Sequence, residues 1–116
     1  MLKVSTPILA SLNEVKTIDF YTKQLGFAHR GGHAGYLIFE RDGVMVHLYA
    51  CSVPEVPGYT GCYFYVTDID EWYARCQERK LVHPNGELKL MPFGLRQFAI
   101  VDNNGNIIYI AEHKEQ

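Results

Sequence analysis

His47 and Tyr109 are the side chains of this sequence best placed to do chemistry. Each lies four residues after a turn glycine, Gly43 and Gly105, at matching points of two similar stretches. An imidazole titrates near neutral pH and serves as a base, a hydrogen-bond partner or a metal ligand. A phenol offers a flat ring with one hydroxyl. Nothing in the sequence completes a catalytic set around them. There is no GxSxG, HExxH or paired-carboxylate pattern, and Gly31-Gly32 lacks the spacing of a phosphate loop. His47 therefore reads as a cavity-lining group that hydrogen-bonds Tyr109, Cys62 or a water and shapes a binding pocket.

The other candidates are aromatic or soft. The chain has eight tyrosines; Tyr49, Tyr59, Tyr63, Tyr65 and Tyr109 are expected near the pocket or the dimer seam that the family resemblance given below implies. Such rings suit interfaces and small-molecule clefts alike. Tyr63 and Tyr65 are read as filling. Phe93 sits in the turn-rich run Met91-Pro92-Phe93-Gly94, where core packing is difficult. Cys51, Cys62 and Cys76 are odd in number and lack CxxC spacing, which argues for free thiols in a reducing, cytoplasmic compartment. Cys62 has no cationic neighbour in sequence to activate it. Arg96 reads as solvated, and Trp72 and Tyr73 as core.

The elements that position these residues repeat. In the first half Asn13 caps a helix carrying Val15, Ile18, Phe20, Tyr21 and Leu25, and Gly26 stops it. A glycine-rich turn, Gly31 to Gly35, leads to a strand at Tyr36–Glu40. Arg41-Asp42-Gly43 is a hairpin turn, and Val44–Tyr49 returns. The loop from Ser52 to Gly58 is the joint. The second half runs strand (Cys62–Val66), helix capped by Thr67 or Asp68, strand (Gln97–Val101), turn (Asn103-Asn104-Gly105) and strand (Ile107–Ala111). Glu112 to Gln116 reads as a frayed tail. The pattern is α+β: two βαβββ modules, at about residues 1–51 and 61–112 with a linker at about 52–60, in one domain. One helix covers one face of each sheet, so the other face must be buried or bind something; the resemblance given below implies curved mixed sheets around a cavity. Strand parity puts Met45, His47 and Tyr49 on one side, and Val44, Val46 and Leu48 on the helix side. In Cys62–Val66, chemistry alone does not choose between Cys62/Phe64 and Tyr63/Tyr65.

Composition narrows the classes. A length of 116 residues, 47% hydrophobic and 21% charged, suits an ordinary globular domain rather than a disordered chain. A net charge of −2 makes no electrostatic bid for nucleic acid. No apolar run reaches the ~20 residues of a membrane span. Met1–Leu9 carries no signal-peptide core.

Several stretches resemble the vicinal-oxygen-chelate superfamily of glyoxalases, dioxygenases and bleomycin-resistance proteins. They are Ile8–Phe27 with Asp19-Phe20-Tyr21 and Leu25-Gly26-Phe27, and the run Val101-Asp102-Asn103-Asn104-Gly105-Asn106. The segment Cys62–Cys76 is similar to the bleomycin-resistance branch. The resemblance covers about residues 6–112. It implies a homodimer whose modules pair across chains to enclose two pockets. It also implies four metal-ligand points at Thr6, His47, Cys62 and Tyr109, a poor donor set without a carboxylate, so neither metal nor cofactor is expected. Tyr36 and Phe93 match places where drug-binding relatives carry large stacking aromatics, here smaller rings than tryptophan. The implied function is non-catalytic binding of a small aromatic, cationic compound, as in antibiotic resistance. Its expected ligand-binding residues are Tyr36, His47, Tyr49, Cys62, Phe64, Phe93 and Tyr109. The alternative is a metal-dependent glyoxalase- or dioxygenase-type enzyme with a degenerate site.

Overall fold

Asp42 and Gly43 adopt φ of 53° and 81°, the left-handed pair that a tight hairpin requires. This turn joins β3 (Tyr36–Arg41) to β4 (Val44–Ala50) with Ile38 opposite His47. In the computed structural model, which describes residues 1–113, the chain is α+β and divides into two compact units. The first holds Met1–Thr60 with Asn103–Asn106. The second holds Gly61–Asp102 and the chain from Ile107 on. The joint after β4 thus belongs with the first unit, and so do the four residues of the late turn.

The first sheet runs β1-β4-β3-β2, where β1 is Ile8–Ser11 and β2 is Ala28–His33. β1 lies parallel to β4, and the other neighbours are antiparallel. The second sheet repeats the order as β5-β8-β7-β6, with β5 Gly61–Tyr65, β6 Lys89–Leu90, β7 Leu95–Val101 and β8 Ile107–His113. The βαβββ repeat read from the sequence is therefore the observed topology.

In the first unit Asn13 caps α1 (Glu14–Asp19), its side chain accepting from the Lys16 N–H at 2.9 Å. The helix continues as a wider π-helical segment, Phe20–Gln24. Tyr21, Leu25 and Phe27 are buried, and the Tyr21 ring stacks on Phe39 of β3 at 5.1 Å. Val15, expected on this face, is 75% exposed. Its place facing the sheet is taken by Thr17, whose hydroxyl bonds Ser11 at 2.8 Å. Asn104 Oδ1 accepts from the Leu12 N–H at 2.8 Å, and Asn106 Nδ2 donates to the Ala10 carbonyl at 2.8 Å. The asparagine-rich motif thus serves the backbone of β1.

Four local expectations are corrected. The glycine-rich stretch is mostly strand β2: a bulge between His29 and Gly32 absorbs the glycines, and Arg30 grips Glu40 of β3 at 2.7 Å. Neither Thr67 nor Asp68 caps α2 (Ile69–Glu78) with its side chain; Glu112 of β8 accepts from the Ile69 N–H at 2.9 Å instead. Glu112 and His113 belong to β8 rather than to a tail, and the rest of that expected tail lies outside the described residues. The strand that the βαβββ pattern requires between α2 and β7 is β6, which no expected segment placed, being only two residues long and without an apolar pattern.

Candidate functional site

Each sheet has one face under its helix and one face free of it, and the register says which side chain lies where. In the second unit Phe98, Ile100, Ile108 and Ile110 are buried toward α2, where Tyr73 meets Phe98 edge-on at 5.0 Å. Cys62 pairs with Ile108 and Phe64 with Ile110, so both share that helix-bearing face. This corrects the expectation that Cys62 and Phe64 line a pocket with Tyr109. Burial, with the Asp102 carboxylate second, pushes the Cys62 thiol up to about 12. It is therefore protonated at neutral pH, a poor nucleophile and a poor metal ligand.

The opposite face carries the chemistry. Tyr63 pairs with Tyr109, and their rings stack at 4.9 Å. Tyr65 stacks on Tyr63 at 5.9 Å and on His113 at 5.2 Å. Four parallel rings thus run along this face, with Tyr63 43% and Tyr65 60% exposed. Tyr63 and Tyr65, read from the sequence as filling, are thus part of this exposed row, and so is His113 of the expected tail. The alternation Tyr63-x-Tyr65 against Tyr109 was the available signal, but it needed the β5–β8 register to be read.

Beside the stack lies a hollow of about 310 Å³, lined among others by His83, Lys89, Gln97, Ala99 and Tyr109. One wall depends on Gly86, whose carbonyl accepts from the Ala99 N–H at 2.9 Å. A Cβ at Gly86 would stand 2.7 Å from that of Ala99, so only glycine permits this approach. Gln97 accepts from the Tyr63 hydroxyl at 2.8 Å. Phe93 projects from the β6–β7 turn, 61% exposed, and does not line the hollow.

In the first unit, Tyr36, His47 and Tyr49 share the face away from α1, in one register block with Ile8 and Ile38. The Tyr36 hydroxyl and His47 Nδ1 are 2.9 Å apart, with the rings edge-on at 5.3 Å. Tyr36 is thus a hydrogen-bond partner of His47 beyond the Tyr109, Cys62 or water expected from the sequence.

The donor set does not fit a metal. Among the described residues no three His, Cys, Asp or Glu side chains come together. In register, Ile8 stands beside His47 and Tyr63 beside Tyr109, and neither hydrocarbon nor neutral phenol grips a divalent ion. Arg96 is not free in solvent but forks onto Asp70 of α2 at 2.8 and 3.1 Å. That guanidinium holds the Asp70 carboxyl below its usual range. No helix among the described residues is long and apolar enough to cross a membrane.

Comparison with known proteins agrees with this architecture. The model of the Glyoxalase/Bleomycin resistance protein/Dioxygenase superfamily matches residues 15–110. A bleomycin resistance protein of Geobacillus stearothermophilus is 28% identical over 121 residues, spanning 90% of this chain and 92% of its own length. The crystal structure of a bleomycin resistance determinant encoded on the transposon Tn5 superposes with a TM-score of 0.85 at 23% identity, covering 98% of this chain and 100% of that one. A bleomycin-binding protein complexed with bleomycin gives 0.81 at 23% identity, covering 97% and 100%. At such identities the structural likeness speaks for the fold.

Proposed function

The chain belongs to the glyoxalase/bleomycin resistance protein/dioxygenase superfamily, and on that footing we propose that it binds a small aromatic molecule and releases it chemically unchanged. The observation that carries this reading is the row of stacked rings, Tyr109, Tyr63, Tyr65 and His113, beside the hollow of the second sheet. A flat, conjugated guest extends such a stack. Each added ring contact contributes roughly 0.5–1.5 kcal/mol beyond the apolar area it buries. A positive charge on the guest is attracted to the tyrosine faces by about 0.5–2 kcal/mol.

Bleomycin is the first compound to test, because curated relatives similar along nearly the whole chain are bleomycin resistance proteins. Binding alone suffices for protection, since a bound drug leaves solution by mass action. Two groups at hand support the reading that the guest is left intact. The Cys62 thiol is protonated and turned to the helix side, and His47 is engaged with Tyr36.

We further propose that two copies pair through the faces free of helix, and that the protein works in the cytoplasm, where its three free cysteines stay reduced. Pairing would enclose the hollow, whose volume sits at the lower end of the ~300–1,000 Å³ typical of ligand sites. Tyr36, Tyr49, His47, Phe93 and Tyr109 are proposed to face the guest in that dimer. Thermal unfolding with increasing bleomycin tests the reading. Saturating drug, at about a hundred times Kd, should stabilise the fold by ~2.7 kcal/mol. An unmoved Tm across bleomycin and a panel of flat cationic dyes would contradict it. Sedimentation equilibrium should give twice the mass of one chain; a monomer at high concentration would remove the dimer.

A further inference from the structure

Gln97 is the one side chain of the second hollow that is both deeply buried and incompletely used. It is 9% exposed and lines the hollow. Its Oε1 accepts from the Tyr63 hydroxyl at 2.8 Å. Its amide nitrogen makes no hydrogen bond, yet no buried side-chain nitrogen or oxygen among the described residues lacks a partner. The nitrogen is therefore open to the hollow, with both N–H groups available. The register explains the aim. Gln97 pairs with Ala111 on β8, and Ala111 pairs with Tyr65 on β5. Ala111 offers only a methyl group, so the glutamine passes over β8 and reaches, on the diagonal, the hydroxyl of Tyr63, two residues before the in-register Tyr65. With Oε1 on the Tyr63 hydroxyl, the amide turns its nitrogen inward.

The neighbours supply more donors. His83 Nδ1 accepts from the Asn85 N–H at 3.0 Å, which leaves the proton of the neutral ring on Nε2. Lys89 is the cross-strand partner of Gln97, and its ammonium only donates. Glu87 is the one acidic group of the lining. A buried donor left unmatched by a guest costs free energy, so such a site discriminates by hydrogen bonding more sharply than by shape.

We propose that Gln97 is a specificity-determining residue that reads a carbonyl-type oxygen, of a carboxamide or a carboxylate, on a guest whose flat part lies against Tyr109. Tyr63 is the positioning residue that presents the amide donor. The inference rests on the reading of this hollow as a small-molecule site, and it adds the acceptor chemistry of the guest.

Four naphthalenes substituted at position 2 serve as probes: methyl, carboxamide, carboxylate and aminomethyl. The wild-type protein should bind the carboxamide and the carboxylate roughly tenfold more tightly than the methyl compound. Gln97→Leu should abolish that preference and leave methyl-naphthalene affinity in place. Gln97→Glu should reject the carboxylate and favour the aminomethyl cation, and it answers the question if the leucine variant does not fold. Tyr63→Phe keeps the ring and should erode the carboxamide preference without weakening the methyl compound, a split that general loss of structure would not produce. Preference of the wild-type chain for the aminomethyl compound would overturn the proposal, because the amide would then face inward by its oxygen. So would no binding of any naphthalene, or an acceptor preference that survives Gln97→Leu. Bleomycin binding equally to wild type and Gln97→Leu sinks this inference alone. Failure of bleomycin beside a glutamine-dependent carboxamide preference sinks only the choice of drug.

Discussion

The two units share strand order, hairpin geometry and helix placement, yet their helix-free faces differ. In the first, the Tyr36 hydroxyl and His47 Nδ1 bond each other beside Ile8, Ile38 and Tyr49. In the second, tyrosines stack in a row, and Gln97 keeps an amide open to a hollow. The backbone repeat supplies two equivalent platforms, and side chains decide which of them offers recognition chemistry. On the proposed function, a duplicated scaffold is therefore a poor guide to duplicated recognition.

The comparison has a shared half that should break symmetrically. Phe39 and Phe98 are buried on the helix-bearing faces of the two sheets. Phe39→Ala and Phe98→Ala should each cost about 3–5 kcal/mol in denaturant unfolding. A cost confined to one unit would show that the two cores are not equivalent.

The unshared half should break asymmetrically. Tyr109→Ala removes the ring that both stacks on Tyr63 and lines the hollow. It should weaken a flat ligand about tenfold or more in a fluorescence titration. His47→Ala, at the equivalent point of the first unit, should weaken it much less. Equal losses would mean that the two faces contribute equally to holding the guest.

The helix starts sharpen the contrast at smaller amplitude. Asn13→Ala should cost about 1 kcal/mol, because its side chain caps α1. Asp68→Ala should cost under ~0.5 kcal/mol, because that side chain makes no cap. Glu112→Ala, which removes the acceptor for the Ile69 N–H, should cost more than Asp68→Ala in the same melts.

Much of the fold was legible because its signals are local. Asp42-Gly43, Asn13 and the repeated order of apolar runs each determine their own segment, and the topology follows from the repeat. The site was legible only in part. Parity within β4 separates His47 from Val46 and Leu48, since one side is wholly aliphatic. β5 offers Cys62 and Phe64 on one side and tyrosines on the other, both plausible in a pocket. Only pairing with β8 decides, and it gives the tyrosines to the helix-free face. His83 and Gln97 were invisible because their value comes from residues distant in sequence: Ala111, which leaves room, and Gly86, which lets a wall approach.

The smallest effect is silent at neutral pH. The Cys62 thiol has its pKa raised in the fold from 9.0 to about 12 by burial. The folded state thus holds the proton more tightly than the unfolded one. Its stabilisation is full below about pH 9 and is lost as pH climbs toward 12. Alkaline unfolding curves of Cys62→Ala should be flatter over that window, whereas unchanged curves would deny the burial of the thiol behind β5.

The most direct measurement is a calorimetric titration of the purified protein with bleomycin, followed by mass spectrometry of the drug recovered after denaturation. Saturable binding with micromolar or tighter affinity, abolished or sharply weakened in Tyr109→Ala, and recovery of the drug at its original mass are the expected results. Absence of saturable heat, or a drug returned with an altered mass, would contradict the assignment of this chain as a binder that leaves its guest intact.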